Sequence, residues 1–203
     1  SWSSSSPSNG SIAADGTVRG RSAGSTTITY SLGAGCRATA TITVSNPPNA
    51  IGGVASVCEG ATTTLTNTTT GGGVWSNDGA NAMVGATGIV TGIAAGTSVI
   101  TFQSNLSGCA TTRVVTVNVA PSPIGGPSSV CVGSPATLTA TPAGGTWTST
   151  NMTLAPIGMV SGSFTAGGAG GVVNISYSLP TGCRATTTIT VSALPAALTG
   201  GTT

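Results

Sequence analysis

Short runs with alternating apolar and polar residues recur along the whole chain. "STTITY" (25–30), "RATATITV" (37–44), "TSVITF" (97–102), "VVNISY" (172–177) and "RATTTITV" (184–191) each put every second side chain on one face. That period-two pattern is the signature of a half-buried β-strand. Gly, Pro, Asn and Ser punctuate the runs, as hairpin and turn backbones require. No stretch combines a 3.6-residue period with helix caps. The pattern predicts an all-β protein made of many short strands.

The runs belong to a repeat. Tryptophan recurs at 2, 75 and 147, and the pair Gly-Cys ends at 36, 109 and 183. An aromatic closes the strand before each Gly-Cys: Tyr30, Phe102 and Tyr177. A Gly-x-Val-x-Gly turn reads "GTVRG" (16–20), "GIVTG" (88–92) and, in the third copy, "GMVSG" (158–162). The sequence therefore holds three copies of a unit of about 73 residues. Six or seven short strands in that length form a small two-sheet sandwich. The Trp and the Tyr or Phe of each copy (Trp2 with Tyr30, Trp75 with Phe102, Trp147 with Tyr177) are expected in its core.

The first copy is incomplete. The second and third open on "VCEG" (57–60) and "VCVG" (130–133), each followed by a threonine-rich run and then the tryptophan. The first copy starts at its tryptophan, so the counterpart of 57–74 is missing from it. Residues 191–203 align with 44–56, the lead-in to a unit, and stop just before the next "VC". The organisation read from this is 1–45, an incomplete unit lacking its opening strands; 46–119 and 120–192, complete units; and 193–203, a linker, the opening strand of a following repeat, or a donor segment. Two readings of the gap stand at this point. The chain is a window on a longer repetitive protein, or a mature subunit whose tail completes a neighbour by strand addition. On the second reading, Ala197 and Leu198 pack on the first unit of the next copy.

Composition narrows the function. Charged residues make up 4% of the 203 and the net charge is +2, against about 25% charged in an ordinary domain. There is no electrostatic footprint for nucleic acid, and no apolar run of the roughly 18 residues a membrane-spanning helix needs. With no histidine, a Ser-His or Cys-His pair is unavailable. Asp15, Glu59 and Asp78 fall at non-equivalent places, and "SNDG" (76–79) reads as a turn. No catalytic residue, cofactor or metal site is expected.

Five cysteines in a β-rich chain point to an oxidising, extracellular setting. Cys58 and Cys109 lie 51 residues apart, and Cys131 and Cys183 lie 52 apart, matched positions in matched copies. The spacing points to the disulfides Cys58–Cys109 and Cys131–Cys183, each worth roughly 4 kcal/mol by loop closure; reduced, buried thiols are the alternative. Cys36 is left free or bonded to a partner from outside. Asn9, Asn67, Asn105, Asn151 and Asn174 head Asn-x-Ser/Thr sequons, candidates for covalent glycan, with a bare hydroxyl-rich surface as the other reading.

The run "VCVGSPATLTATPAGGTWTST" (130–150), then "GMVSG", then "NISYSLPTGCRATTTITV" (174–191), resembles the bacterial Ig-like repeats, in particular the Big2-like modules of very long secreted surface proteins. The resemblance implies tandem Ig-like β-sandwiches without catalytic residues. The function expected is a structural subunit of an extracellular surface fibre or filament, its partners being copies of itself joined head to tail. The alternative is an adhesin or stalk module binding a carbohydrate or protein ligand through its loops.

Overall fold

In the computed structural model, which describes residues 1–79, 81–168 and 170–195, every regular element is a β-strand. The fold is all-β, of the Ig-like β-sandwich class. Ala197 and Leu198, assigned above to assembly, lie outside the described residues.

The chain forms two compact units. One comprises Ser1–Ala55, Thr62–Thr91 and Thr97–Val115; the other comprises Ser56–Ala61, Gly92–Gly96 and the described residues from Thr116 on. This division does not follow the sequence copies. The end of the second copy that carries "VCEG" clusters with the third copy.

The third copy shows the plan. Ser129–Cys131, Arg184–Ser192, Gly171–Ser178 and Thr146–Ser149 form one sheet in that order, and Pro135–Thr137 pairs with Ser163–Thr165 outside it. Most neighbours are antiparallel, but the opening strand Ser129–Cys131 runs parallel to the closing strand, with Cys131 opposite Ser192. Inward residues of both layers meet in a core of Leu138, Trp147, Ile157, Phe164, Val173, Ile175, Tyr177 and Ile189. Trp147 sits directly opposite Tyr177, their ring centroids 4.7 Å apart. The Tyr177 hydroxyl donates to the Pro142 carbonyl at 2.8 Å and accepts from the Gly145 N–H at 2.7 Å, so the ring is buried without stranding its polar end.

The second copy repeats the plan in two four-stranded sheets. One runs Ala82–Val84, Ile89–Gly92, Thr62–Thr66, Gly52–Gly53; the other runs Ser56–Cys58, Ala110–Asn118, Gly96–Ser104, Gly73–Asn77. Trp75 again faces the aromatic of the neighbouring strand, Phe102, at 4.9 Å. Phe102 is buried and Trp75 half-buried.

The first copy departs from the expectation for its core. Trp2 does pair with Tyr30 at 4.6 Å, but the two rings are 39% and 37% exposed, whereas Trp147 and Tyr177 are 4% and 3%. The cause is local. In the complete copies a leucine lies against the glycine beneath the indole: Leu65 N–H donates to the Gly88 carbonyl and Leu138 N–H to the Gly162 carbonyl. Gly16 holds the same place against Trp2, but the sequence of the first copy has no counterpart of Leu65 or Leu138. Ile28 is buried on its own sheet, while Ile42 is half-buried where Val115 and Ile189 are fully buried.

Those glycines also correct the alignment of the turn. Gly16, Gly88 and Gly162 all have positive φ (91°, 81° and 67°), and a Cβ on any of them would press on the tryptophan of its copy. The third-copy counterpart of "GIVTG" is therefore "GSFTA" (162–166), not "GMVSG". Val160 is 89% exposed, and Phe164 occupies the core position of Val90.

Candidate assembly site at the poles of the copies

Each sandwich has two poles, and its cysteines mark them. The "VC" cysteine ends the opening strand, which runs parallel to the closing strand, so it lies beside that strand's C-terminal end. Cys58 is opposite Asn118, and Cys131 is opposite Ser192. The Gly-Cys cysteine lies in the hairpin, at or just before the start of the same closing strand. Nine residues of strand separate Cys183 from Ser192, roughly 30 Å at the usual rise. A disulfide needs Cα atoms within about 7 Å.

The expected bonds Cys58–Cys109 and Cys131–Cys183 are therefore overturned. The bond present is Cys58–Cys183, with Cα atoms 5.7 Å apart across 125 residues of sequence. It joins the exit pole of the second copy to the entry pole of the third. Cys36, Cys109 and Cys131 are free, with Cys36 and Cys131 exposed. Matched spacing located the cysteines in their copies but carried no information on which pole each occupies.

Glu59, next to Cys58, strengthens the same joint. Its carboxylate accepts from the Ala95 N–H at 2.7 Å and from the Ala120 N–H at 3.1 Å, the second lying in the segment that leads to the third copy. Sequence reading treated Glu59 only as a lone acid. Of the other acids, Asp15 caps a turn by accepting from the Thr17 N–H, which holds its carboxyl below the usual carboxylate range, and Asp78 accepts from the Val99 N–H of the strand Gly96–Ser104. In "SNDG" Gly79 takes φ of 77°, as a turn there requires. Among the described residues no cluster of three metal-ligating side chains occurs, and no helix is long and apolar enough to cross a membrane.

The entry poles of the first and third copies share a sequence. "YSLGAGCRAT" (30–39) and "YSLPTGCRAT" (177–186) differ only at the hairpin tip, whereas the second copy reads "FQSNLSGCAT" (102–111). Their surroundings differ sharply. Leu179 is 8% exposed and Cys183 1% where the pole is joined; Leu32 is 76% exposed, and Cys36 is exposed beside it. Tyr30, Leu32, Cys36, Arg37 and Ala38 line a shallow cleft there.

The sequon asparagines fall into two groups. Asn9 donates its amide to the Ser25 carbonyl, and Asn67 donates to the Asn49 carbonyl while accepting from the Thr69 N–H. Asn105, Asn151 and Asn174 are exposed. The seven aromatic residues are the three cross-strand pairs and buried Phe164, so no loop presents an aromatic cluster.

No protein-family model matches the chain, and no curated protein matches it. Among solved structures it is similar to surface layer protein SbsC, domains 4–9, at 20% identity and a TM-score of 0.28, over 95% of this chain and 39% of that one. It is similar to invasin, a bacterial integrin-binding protein, at 13% identity and a TM-score of 0.48, over 94% of this chain and 51% of that one. It is also similar to the C-terminal 282-residue fragment of intimin, solved with the intimin-binding domain of its translocated receptor, at 16% identity and a TM-score of 0.40. That match covers 83% of this chain and 57% of the fragment, so the chain spans between 39% and 57% of these three structures.

Proposed function

We propose that the chain is a non-catalytic building block of an extracellular bacterial array of Big2-like Ig repeats, joined pole to pole. The observation that carries this reading is the open core of the first copy. Trp2 and Tyr30 form the same pair as Trp147 and Tyr177, but roughly ten times as much of their surface is left to water. Exposed apolar surface of that kind favours association. A segment carrying a counterpart of Leu138 fits it, because in the complete copies that leucine bonds the glycine beneath the indole. The segment comes from an adjoining repeat, and residues 193–203 have the sequence that leads into one. The hydroxyl-rich surface, with Asn105, Asn151 and Asn174 exposed, suits a glycan coat on the assembled material. The adhesin reading gains no support from the loops, which carry no aromatic cluster.

Electron microscopy of the purified chain tests the proposal. Filaments are expected, and particles that stay single at every concentration would overturn it. A peptide spanning 129–146 with serine for Cys131 provides a second check. It is expected to shift tryptophan emission to the blue in the intact chain but not in Trp2→Phe.

A further inference from the structure

We infer that Cys131 of one copy of this chain and Cys36 of the next form a disulfide that seals each joint of the array. The bond already present defines the rule: an exit-pole cysteine, Cys58 in "VCEG", reaches the entry-pole cysteine of the following sandwich, Cys183 in "YSLPTGCRAT". Cys131, in "VCVG", is the other exit-pole cysteine, and it is free and exposed. Cys36 lies in "YSLGAGCRAT", which matches the Cys183 hairpin on both sides of its tip.

Burial agrees with this assignment. Cys36 and Cys131 are both exposed, and Leu32 is bare where Leu179, its counterpart at a bonded pole, is 8% exposed. Leu32 and Tyr30 beside Cys36 provide the apolar seat that an arriving exit pole would cover. Within a copy the two cysteine positions are kept at opposite poles, so a bond of this kind can only link successive sandwiches. Cys109, the entry-pole cysteine of the second copy, is free but half-buried, and its hairpin does not share the "YSLxxGCRAT" sequence.

The chemistry needs a disulfide oxidant, and a small-molecule disulfide such as oxidised glutathione is sufficient. One protein thiolate attacks it, forming a mixed disulfide and releasing one glutathione thiolate. The second protein thiolate displaces the other glutathione, completing the Cys36–Cys131 bond. Two protein thiols thus lose two electrons and two protons, and the oxidant leaves as two thiols.

The proposal rests on the array reading, and the two are scored separately: microscopy reports the array, and peptide mapping reports the bond. Because the chain's only basic side chains are its five arginines, trypsin yields 22–37 with Cys36 and 114–184 with Cys131 and Cys183. A mixture of light and nitrogen-15-labelled chain is oxidised with glutathione disulfide and digested without reductant. The expected product is 22–37 linked through Cys131 to 114–184, which still carries 38–113 through the Cys58–Cys183 bond, including species that join a light 22–37 to a heavy 114–184 or the reverse. In a Cys109→Ser background, Cys36→Ser and Cys131→Ser should each abolish long covalent ladders on a non-reducing gel. Mixing those two variants should give a covalent dimer that does not grow. Arrays whose Cys36 stays alkylatable after oxidation, a Cys36–Cys131 link found only in same-isotope form, or ladders that persist in Cys36→Ser would each overturn the proposal.

Discussion

At the scale of single residues, the indole–phenol pair measures how complete each sandwich is. Trp147→Ala removes a ring 4% exposed and is expected to cost about 3–5 kcal/mol, because the surrounding core cannot collapse into the space. Trp2→Ala removes a ring already 39% exposed and should cost well under half as much in the isolated chain. Chemical denaturation of the two variants checks the contrast; equal losses would mean that the first copy has a core of its own. Tyr177→Phe leaves the ring in place but strips the bonds to Pro142 and Gly145, for an expected loss of about 1–2 kcal/mol. The recurrence of one tryptophan and one Tyr or Phe in each copy was legible from the sequence, but not that the two rings sit directly opposite each other. Their exposure was not, because burial depends on the strand above, which sequence period does not report.

Among elements, the opening strand and the hairpin divide the work of joining copies. Ser56–Cys58 lies parallel to Ala110–Asn118, and Glu59 follows immediately, its carboxylate holding N–H groups from two other segments. Glu59→Ala should lower the thermal stability of the unit containing the third copy by about 1–2 kcal/mol, and Glu59→Gln by less, since one acceptor oxygen remains. Unchanged melting in both variants would assign the joint to the disulfide alone. Strand identity and the all-β class were readable from the residues. The turn before Phe164 was misread because "GMVSG" copies the motif in letters while Gly162, the residue packed under Trp147, begins the true counterpart. A motif match cannot see which glycine must give way to a ring. The shared "YSLxxGCRAT" of the first and third copies was a usable signal for equivalent poles.

Taken whole, the chain relies on covalent and apolar contacts, with 4% charged residues to add electrostatic ones. The proposed assembly should therefore be nearly insensitive to salt across the range that screens surface ion pairs, and light scattering over a salt series would show this. Reduction of Cys58–Cys183 releases a closed loop of 125 residues, for which loop-closure entropy alone suggests about 5 kcal/mol of lost stability. The loss should appear in the unit that contains both cysteines. Cys183→Ser should reproduce it without reductant.

That same bond changes how the molecule would carry a pull. A chain drawn out by its ends transmits tension through the shortest covalent route, and the Cys58–Cys183 link short-circuits everything threaded between those residues. Under load the bridged stretch is slack, so its strands need not unfold for force to pass. In single-molecule extension with the bond intact, roughly 410–450 Å of contour length should stay hidden, from 125 residues at about 3.3–3.6 Å each. Adding reductant during the pull should release that length. Each joint closed by such a bond becomes a place where a thread of thin sandwiches behaves as a tether rather than a spring.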